Sequence, residues 1–117
     1  EEQYMQRYEA LISHIDLVRT RHPKPDKKWN DYMAFYNELN QSLLGLLDKL
    51  AGKKLSEKEI RLCIYCLLYH DISTKTLAEY MIYSAVGIRT FKQRTAQKLG
   101  TTAANLYDFL IEMAIAD

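Results

Sequence analysis

An all-α fold is the expectation for this chain of 117 residues, and three observations lead to it. Helix-forming residues dominate, while Gly and Pro number only 4 and 2. Apolar residues recur at spacings of three and four along most of the chain, the period of one helix face. No alternating Val/Ile/Thr-rich run bounded by turn residues marks a strand. An apolar content of 48% supplies a real core and argues against disorder, and the length holds one domain or one small domain with a helical extension.

Tyr4, Tyr8, Leu11, Ile15 and Val18 repeat at four, three, four and three, a heptad-like seam that predicts the first helix. The segment His22-Pro23-Lys24-Pro25-Asp26 ends it, because each proline disfavours helical backbone in the residue before it. Beyond this break Trp29, Tyr32, Tyr36, Leu39, Leu43, Leu46 and Leu50 continue at three and four without a slip, predicting a second helix. Met33, Phe35, Leu44 and Leu47 widen its seam, so burial on two sides is expected. Two seams joined by a short loop fit an antiparallel hairpin, and they fit pairing between two chains equally well.

Ala51-Gly52-Lys53-Lys54 is the second break, with Gly52 where a helix C-cap is expected. The chain therefore divides into a helical hairpin or coiled-coil-like segment, residues 1–52, and a four-helix domain, residues 53–117. Ser56-Glu57-Lys58-Glu59 is a capping box opening a helix whose core stripe is Ile60, Cys63, Ile64, Leu67 and Leu68. Ser73 and Ser84 are placed as N-caps of the next two helices, with the apolar pairs Ile72 and Leu77, then Tyr83 and Ile88, bracketing each start. Two capped helices at this spacing, the second carrying cations and no acids, read as a helix-turn-helix that presents its second helix to a DNA major groove. After Gly100, Thr101-Thr102 caps a last helix bearing Leu106, Phe109, Leu110 and Met113.

The net charge of +1 gives no overall pull toward nucleic acid. Its distribution does: residues 53–100 hold nine Lys/Arg against four Asp/Glu, and residues 101–117 hold no cation against three acids. No apolar run approaches about 18–20 residues and no signal-peptide pattern occurs, so a cytoplasmic location is expected. The chain opens at Glu1 without an initiator Met, which suggests a piece of a longer protein.

Cys63-Ile64-Tyr65-Cys66, with His70 one turn on, raises metal or redox chemistry. A structural zinc site needs four ligands, no second Cys/His pair stands at usable spacing, and a thioredoxin-like motif sits at a helix start after a strand. Cys63 lies on the core stripe, where a free thiol acts as a small hydrophobe, and reduced thiols agree with the cytosol. No metal and no cofactor are expected. With neither a Gly-rich phosphate loop nor a nucleophile–base arrangement, no enzyme activity and no small-molecule substrate are indicated. The nine tyrosines fall mostly on the seams, as packing bulk rather than a base-stacking surface.

Leu55-Ser56-x-x-Glu59, Ser73-x-x-x-Leu77-Ala78, Ser84-x-x-x-Ile88 and Lys98-Leu99-Gly100 follow in register without a gap. Over residues 55–110 this set resembles the LuxR/GerE-type helix-turn-helix of bacterial regulators. Leu55-Ser56-x-x-Glu59-Ile60-Arg61-Leu62-Cys63, Gly87 after Ser84 and Trp29-x-x-Tyr32 resemble, more narrowly, the C-terminal regions of Bacteroidetes-type transcriptional regulators. In those proteins a sensor or tetratricopeptide part, often a transmembrane helix, and a coiled segment precede the DNA-binding domain. The resemblance implies sequence-specific binding of double-stranded DNA as a regulator's output region. It further implies a homodimer on paired half-sites, formed here through the last helix, where Tyr107 and Met113 are candidates, or through the N-terminal helices. Membrane contact would come only through regions outside this chain.

With Ile88 as the inward reference and about 100° per residue, Ile88, Phe91, Thr95 and Leu99 fall on the buried side of the third helix of the domain. Arg89, Thr90, Gln93, Arg94 and Gln97, with Val86 near the start, fall on or beside the outward face. Arg forks onto guanine, Gln bridges adenine and Thr touches a thymine methyl, so the residue types suit base-edge reading. The resemblance places Arg89, Thr90 and Gln93 at the bases. Lys75, Lys92 and Lys98, with Arg94 and Gln97, are expected at the DNA backbone, as are the N–H groups at the Ser73 and Ser84 helix starts. Three positions depart from the family: Gly87 where relatives carry a hydroxyl, Thr95 for a large aliphatic, and uncharged Ala85 and Val86 at the helix start. The bland reading of this face is a solvated helix surface, and the competing function is an interaction module with the same fold and no DNA binding, whose basic face docks an acidic protein or whose helices only oligomerise.

Overall fold

Caps and left-handed residues divide the chain into helices wherever the orphan backbone groups of a helix end find partners. A computed structural model describes residues 2–24 and 36–116, and among these residues there is no strand. The helices are α1 (Glu2–Arg21), α2 (Tyr36–Ser42), α3 (Leu46–Ala51), α4 (Glu57–Leu68), α5 (Thr74–Met81), α6 (Ala85–Leu99) and α7 (Leu106–Ile115), with a 3-10 turn, Ala103–Asn105, leading into α7. The all-α expectation therefore holds.

α1 stops two residues before Pro23, the N–H of His22 still donating to the Val18 carbonyl at 2.9 Å. Only the far half of its seam is buried: Leu11 and Ile15 enter the core, whereas Tyr4 and Tyr8 stay exposed. The expected uninterrupted second helix is corrected by a corner. α2 ends at Ser42, Leu44 and Gly45 take positive φ angles of 59° and 84°, and α3 begins at Leu46. The Gly45 N–H closes the end of α2 on the Asn40 carbonyl at 2.7 Å, and the Leu44 N–H bonds the Gln41 carbonyl at 3.2 Å, a Schellman closure. Asn40 then clamps α3 to α2: its Oδ1 accepts from the Asp48 N–H and its Nδ2 donates to Asp48 Oδ2, both at 3.1 Å. The Tyr36 hydroxyl donates to the other Asp48 oxygen at 2.7 Å. The corner puts Leu39, Leu43, Leu46, Leu47 and Leu50 all inside, as an unbroken seam would also demand. Pro25, Trp29, Tyr32, Met33 and Phe35, which carry the start of that seam and the Trp29-x-x-Tyr32 resemblance, lie outside the described residues.

Gly52 is the C-cap of α3 but is right-handed, at φ −66°, and the left-handed step falls on Lys54, φ 61°. The capping box then forms in full: Ser56 Oγ accepts from the Glu59 N–H at 3.2 Å and Glu59 Oε1 accepts from the Ser56 N–H at 2.8 Å. α4 is the central helix, with Ile60 and the unbroken run Leu62 to Tyr69 buried and the helix packed against α1, α3 and α7. That enclosure accounts for a run with hardly any polar face.

α7 is held at its C-terminal end from the N-terminal part of the chain. Arg7 Nε donates to the Ile115 carbonyl at 2.6 Å, Arg7 Nη2 to the Ala114 carbonyl at 3.3 Å, and Lys49 Nζ to the Met113 carbonyl at 2.8 Å and to that of Ala116. Cations at these carbonyls satisfy orphan acceptors and oppose the negative end of the helix dipole. One buried cluster runs from Leu11 and Ile15 through the leucines of α2 and α3 to α4 and α7, so the core crosses the boundary between residues 1–52 and 53–117.

Candidate nucleic-acid interface

The α5–α6 pair is set by two serines and two left-handed residues. Ser73 Oγ accepts from the Thr76 N–H at 3.1 Å and Ser84 Oγ from the Gly87 N–H at 2.9 Å, capping α5 and α6. Between them Ile82 takes φ 60°, and the Tyr83 N–H returns to the Ala78 carbonyl at 2.8 Å, which reverses the chain. A β-branched residue is rare in this region of backbone space, and here its side chain is 86% exposed, so no burial offsets the strain. Gly100, at φ 86°, ends α6 without such cost.

α6 is anchored along one stripe. Ile88, Thr95 and Ala96 are fully buried and Leu99 nearly so. Thr95 is accommodated in place of an aliphatic because its hydroxyl donates to the Phe91 carbonyl at 2.9 Å. Phe91, expected inside, is only half-buried: its ring lies 5.2 Å from that of Tyr83, over which Lys58 Nζ sits at 4.4 Å. Ala96 takes the share of the stripe expected of Phe91. Gly87 has a local reason as well, since a Cβ there would stand 3.0 Å from the capping hydroxyl of Ser84.

Arg89, Gln93, Arg94 and Gln97 are exposed together on the opposite side, and Val86 beside them is 71% exposed. Thr90, expected on the same strip, is half-buried, and its hydroxyl donates back to the Val86 carbonyl at 3.2 Å. Lys75 is exposed at the start of α5, and neither α5 nor α6 carries an acid in its first turn. The Ser73 and Ser84 hydroxyls serve as caps, which leaves the N–H groups of each first helical residue, rather than those hydroxyls, facing outward for an anion.

Two of the expected backbone cations sit elsewhere. Lys98 reaches back to α4 and pairs with Glu59, Nζ to Oε2 at 2.8 Å, with 53% of the lysine side chain exposed and 7% of the glutamate. Burial pushes the Glu59 carboxyl up, but the Lys98 ammonium and the Ser56 N–H outweigh it and hold it below its ordinary range. Lys92 is half-buried on the side of α6 that faces α4 and lines a cavity with Cys66. The helical wheel carried this signal, since Lys92 lies about 40° from Ile88 and thus closer to the anchoring stripe than to the outward strip.

Cys63 and Cys66 are free and buried, and burial raises both thiols, that of Cys66 to about 11. Among the described residues no three His, Cys, Asp or Glu side chains gather to hold a metal ion. His70 instead stacks on Tyr107, ring centroids 4.2 Å apart. Tyr107 and Met113, the candidates for a dimer face, are half-buried, and α7 packs against α1, α3 and α4 of its own chain. No described helix is long and apolar enough to cross a membrane. The chain matches no family model, no curated protein and no solved structure.

Proposed function

We propose that this chain binds double-stranded DNA sequence-specifically, with α6 in the major groove, as the output region of a LuxR/GerE-type transcriptional regulator. The observation that carries the reading is the outward strip of α6: Arg89, Gln93, Arg94 and Gln97 reach solvent from a helix fixed behind by Ile88, Ala96 and Leu99. Arg89 and Gln93 read base edges, with Thr90 contributing its methyl. Arg94, Gln97 and Lys75 hold phosphates, joined by the first-turn N–H groups of α5 and α6. The protein binds and does not catalyse, works in the cytoplasm, and acts as a homodimer on paired half-sites. Because α7 is covered within the chain, the exposed first turns of α1, with Tyr4, Met5 and Tyr8, are the better candidate for the dimer contact.

The second reading is a protein-interaction module, favoured by the exposed Ile82 and Val86 beside the cationic strip. Selection of bound sites from a random duplex pool separates the two. DNA recognition gives an enriched motif and an affinity that falls steeply with salt, because cations that replace counterions on phosphates lose their advantage as salt rises. No enrichment, or salt-insensitive binding, favours the protein partner.

A further inference from the structure

The strip on α6 leaves one neighbouring feature unused. A cavity of about 370 Å³ opens beside the helix, between α4, α5 and the 3-10 turn, and Arg89 and Lys92 form its cationic wall. Tyr65, His70 and Tyr107 line it too, the last two stacked on each other. None of the described residues that line it is acidic. Neither Arg89 nor Lys92 has an ion-pair or hydrogen-bond partner among the described residues, unlike Lys98, whose charge Glu59 answers. Two uncompensated cations one helical turn apart, in a concave and partly apolar site, set up a positive potential that an anion would neutralise. The aromatic side chains of the lining supply apolar contact for a planar body. A volume near the lower end of the range for ligand pockets, about 300–1,000 Å³, suits one or two fused rings.

We infer that this cavity binds a small planar organic anion, an aromatic carboxylate in chemical class, and that its occupancy competes with duplex DNA for Arg89. The carboxylate lies between Arg89 and Lys92 and the ring lies against Tyr107. Only the competition rests on the DNA-binding reading; the site stands on its own geometry.

Titration calorimetry of the chain with 1-naphthoate tests the site, with 1-naphthalenemethanol as the neutral match and inorganic phosphate as the ring-free anion. The expected result is saturable one-site binding of naphthoate, at least tenfold tighter than either control. Ala104→Trp, which fills the cavity from the 3-10 turn, and Lys92→Met, which removes one cation, should each weaken naphthoate at least tenfold. A melting temperature equal to the parent's qualifies either variant, and Lys92→Met decides alone if Ala104→Trp fails to fold. No binding by the parent, equal binding of the alcohol or of phosphate, or an unchanged affinity in the folded variants overturns the site. Saturating naphthoate should then weaken a selected duplex at least threefold, and an unchanged duplex affinity overturns the competition. A parent that binds naphthoate but no duplex upholds the site while removing the DNA reading, so the two failures are distinct.

Discussion

α6 and α7 are adjacent in sequence and differ sharply in burial. α7 buries five of its ten residues, Leu106, Leu110, Ile111, Ala114 and Ile115, and packs against α1, α3 and α4. α6 is half as long again yet buries four of fifteen, Ile88, Thr95, Ala96 and Leu99, all on one stripe. The difference shows that the two helices answer to different requirements. Each core contact of α7 serves folding, whereas seven of the fifteen residues of α6 are exposed on a helix held by a few anchors and two caps. Substitutions in α7 should therefore move stability, and those on the outer face of α6 should move binding alone.

The largest expected effect is on the α7 side. Leu110→Ala removes a fully buried side chain and should cost about 2–5 kcal/mol, read from chemical denaturation. A loss near the surface-substitution level of about 0.5 kcal/mol would mean that α7 is not the packed helix described here.

Lys98→Met comes next, because it strands a buried carboxylate. The expected loss is about 2 kcal/mol near neutral pH, moderated by the Ser56 N–H that still bonds Glu59. The pH dependence has a definite sign. The native carboxyl lies below its unfolded value, so its contribution is present above about pH 4.3 and is lost as pH falls through the native value. The parent should thus lose stability on acidification over that window, and Lys98→Met should lose less. Parallel stability–pH curves would contradict the pairing.

On the outer face the expectation reverses. Arg89→Ala should leave stability within about 0.5 kcal/mol of the parent and cost about 1–3 kcal/mol of affinity for a selected duplex, with relaxed preference at one base pair. A melting temperature that falls with the affinity would erase the contrast between the two helices. The smallest effect lies in the turn between α5 and α6. Ile82→Asn, at a left-handed and exposed position, should raise stability by about 0.5–1 kcal/mol, since Asn tolerates that backbone and no burial is lost. Destabilisation in the same denaturation assay would show that the Ile82 side chain has a contact that holds the turn.

The elements legible from sequence were those fixed by a few adjacent residues. Ser56 with Glu59, Ser73, Ser84 and Gly100 each cap or close a helix end in the structure, because a cap is a local hydrogen bond that a short stretch of chain decides, whereas Thr102 caps the 3-10 turn ahead of α7 and not, as expected, α7 itself. The corner between α2 and α3 was hidden, since Leu39, Leu43, Leu46 and Leu50 satisfy a three-and-four period whether or not the helix turns. Its signal lay off the seam, in Gly45, which takes the positive φ of the turn, and in Asn40 and Asp48, which clamp it. The outward placement of Arg89, Gln93, Arg94 and Gln97 followed from angle alone. The half-buried place of Lys92 was also in the angle, about 40° from Ile88, but that of Lys98 was not, because Glu59 belongs to α4, and a lysine's choice between solvent, phosphate and a carboxylate depends on what another helix brings near it.

The central claim is that the outer face of α6 is where this protein meets a duplex. Amide chemical-shift mapping with the selected duplex tests it directly. The account predicts perturbations concentrated on residues 86–97 and on the first turns of α5 and α6, with Leu106 to Ile115 unmoved. Shifts confined to α1 or α7, with the α6 amides in place, would contradict it.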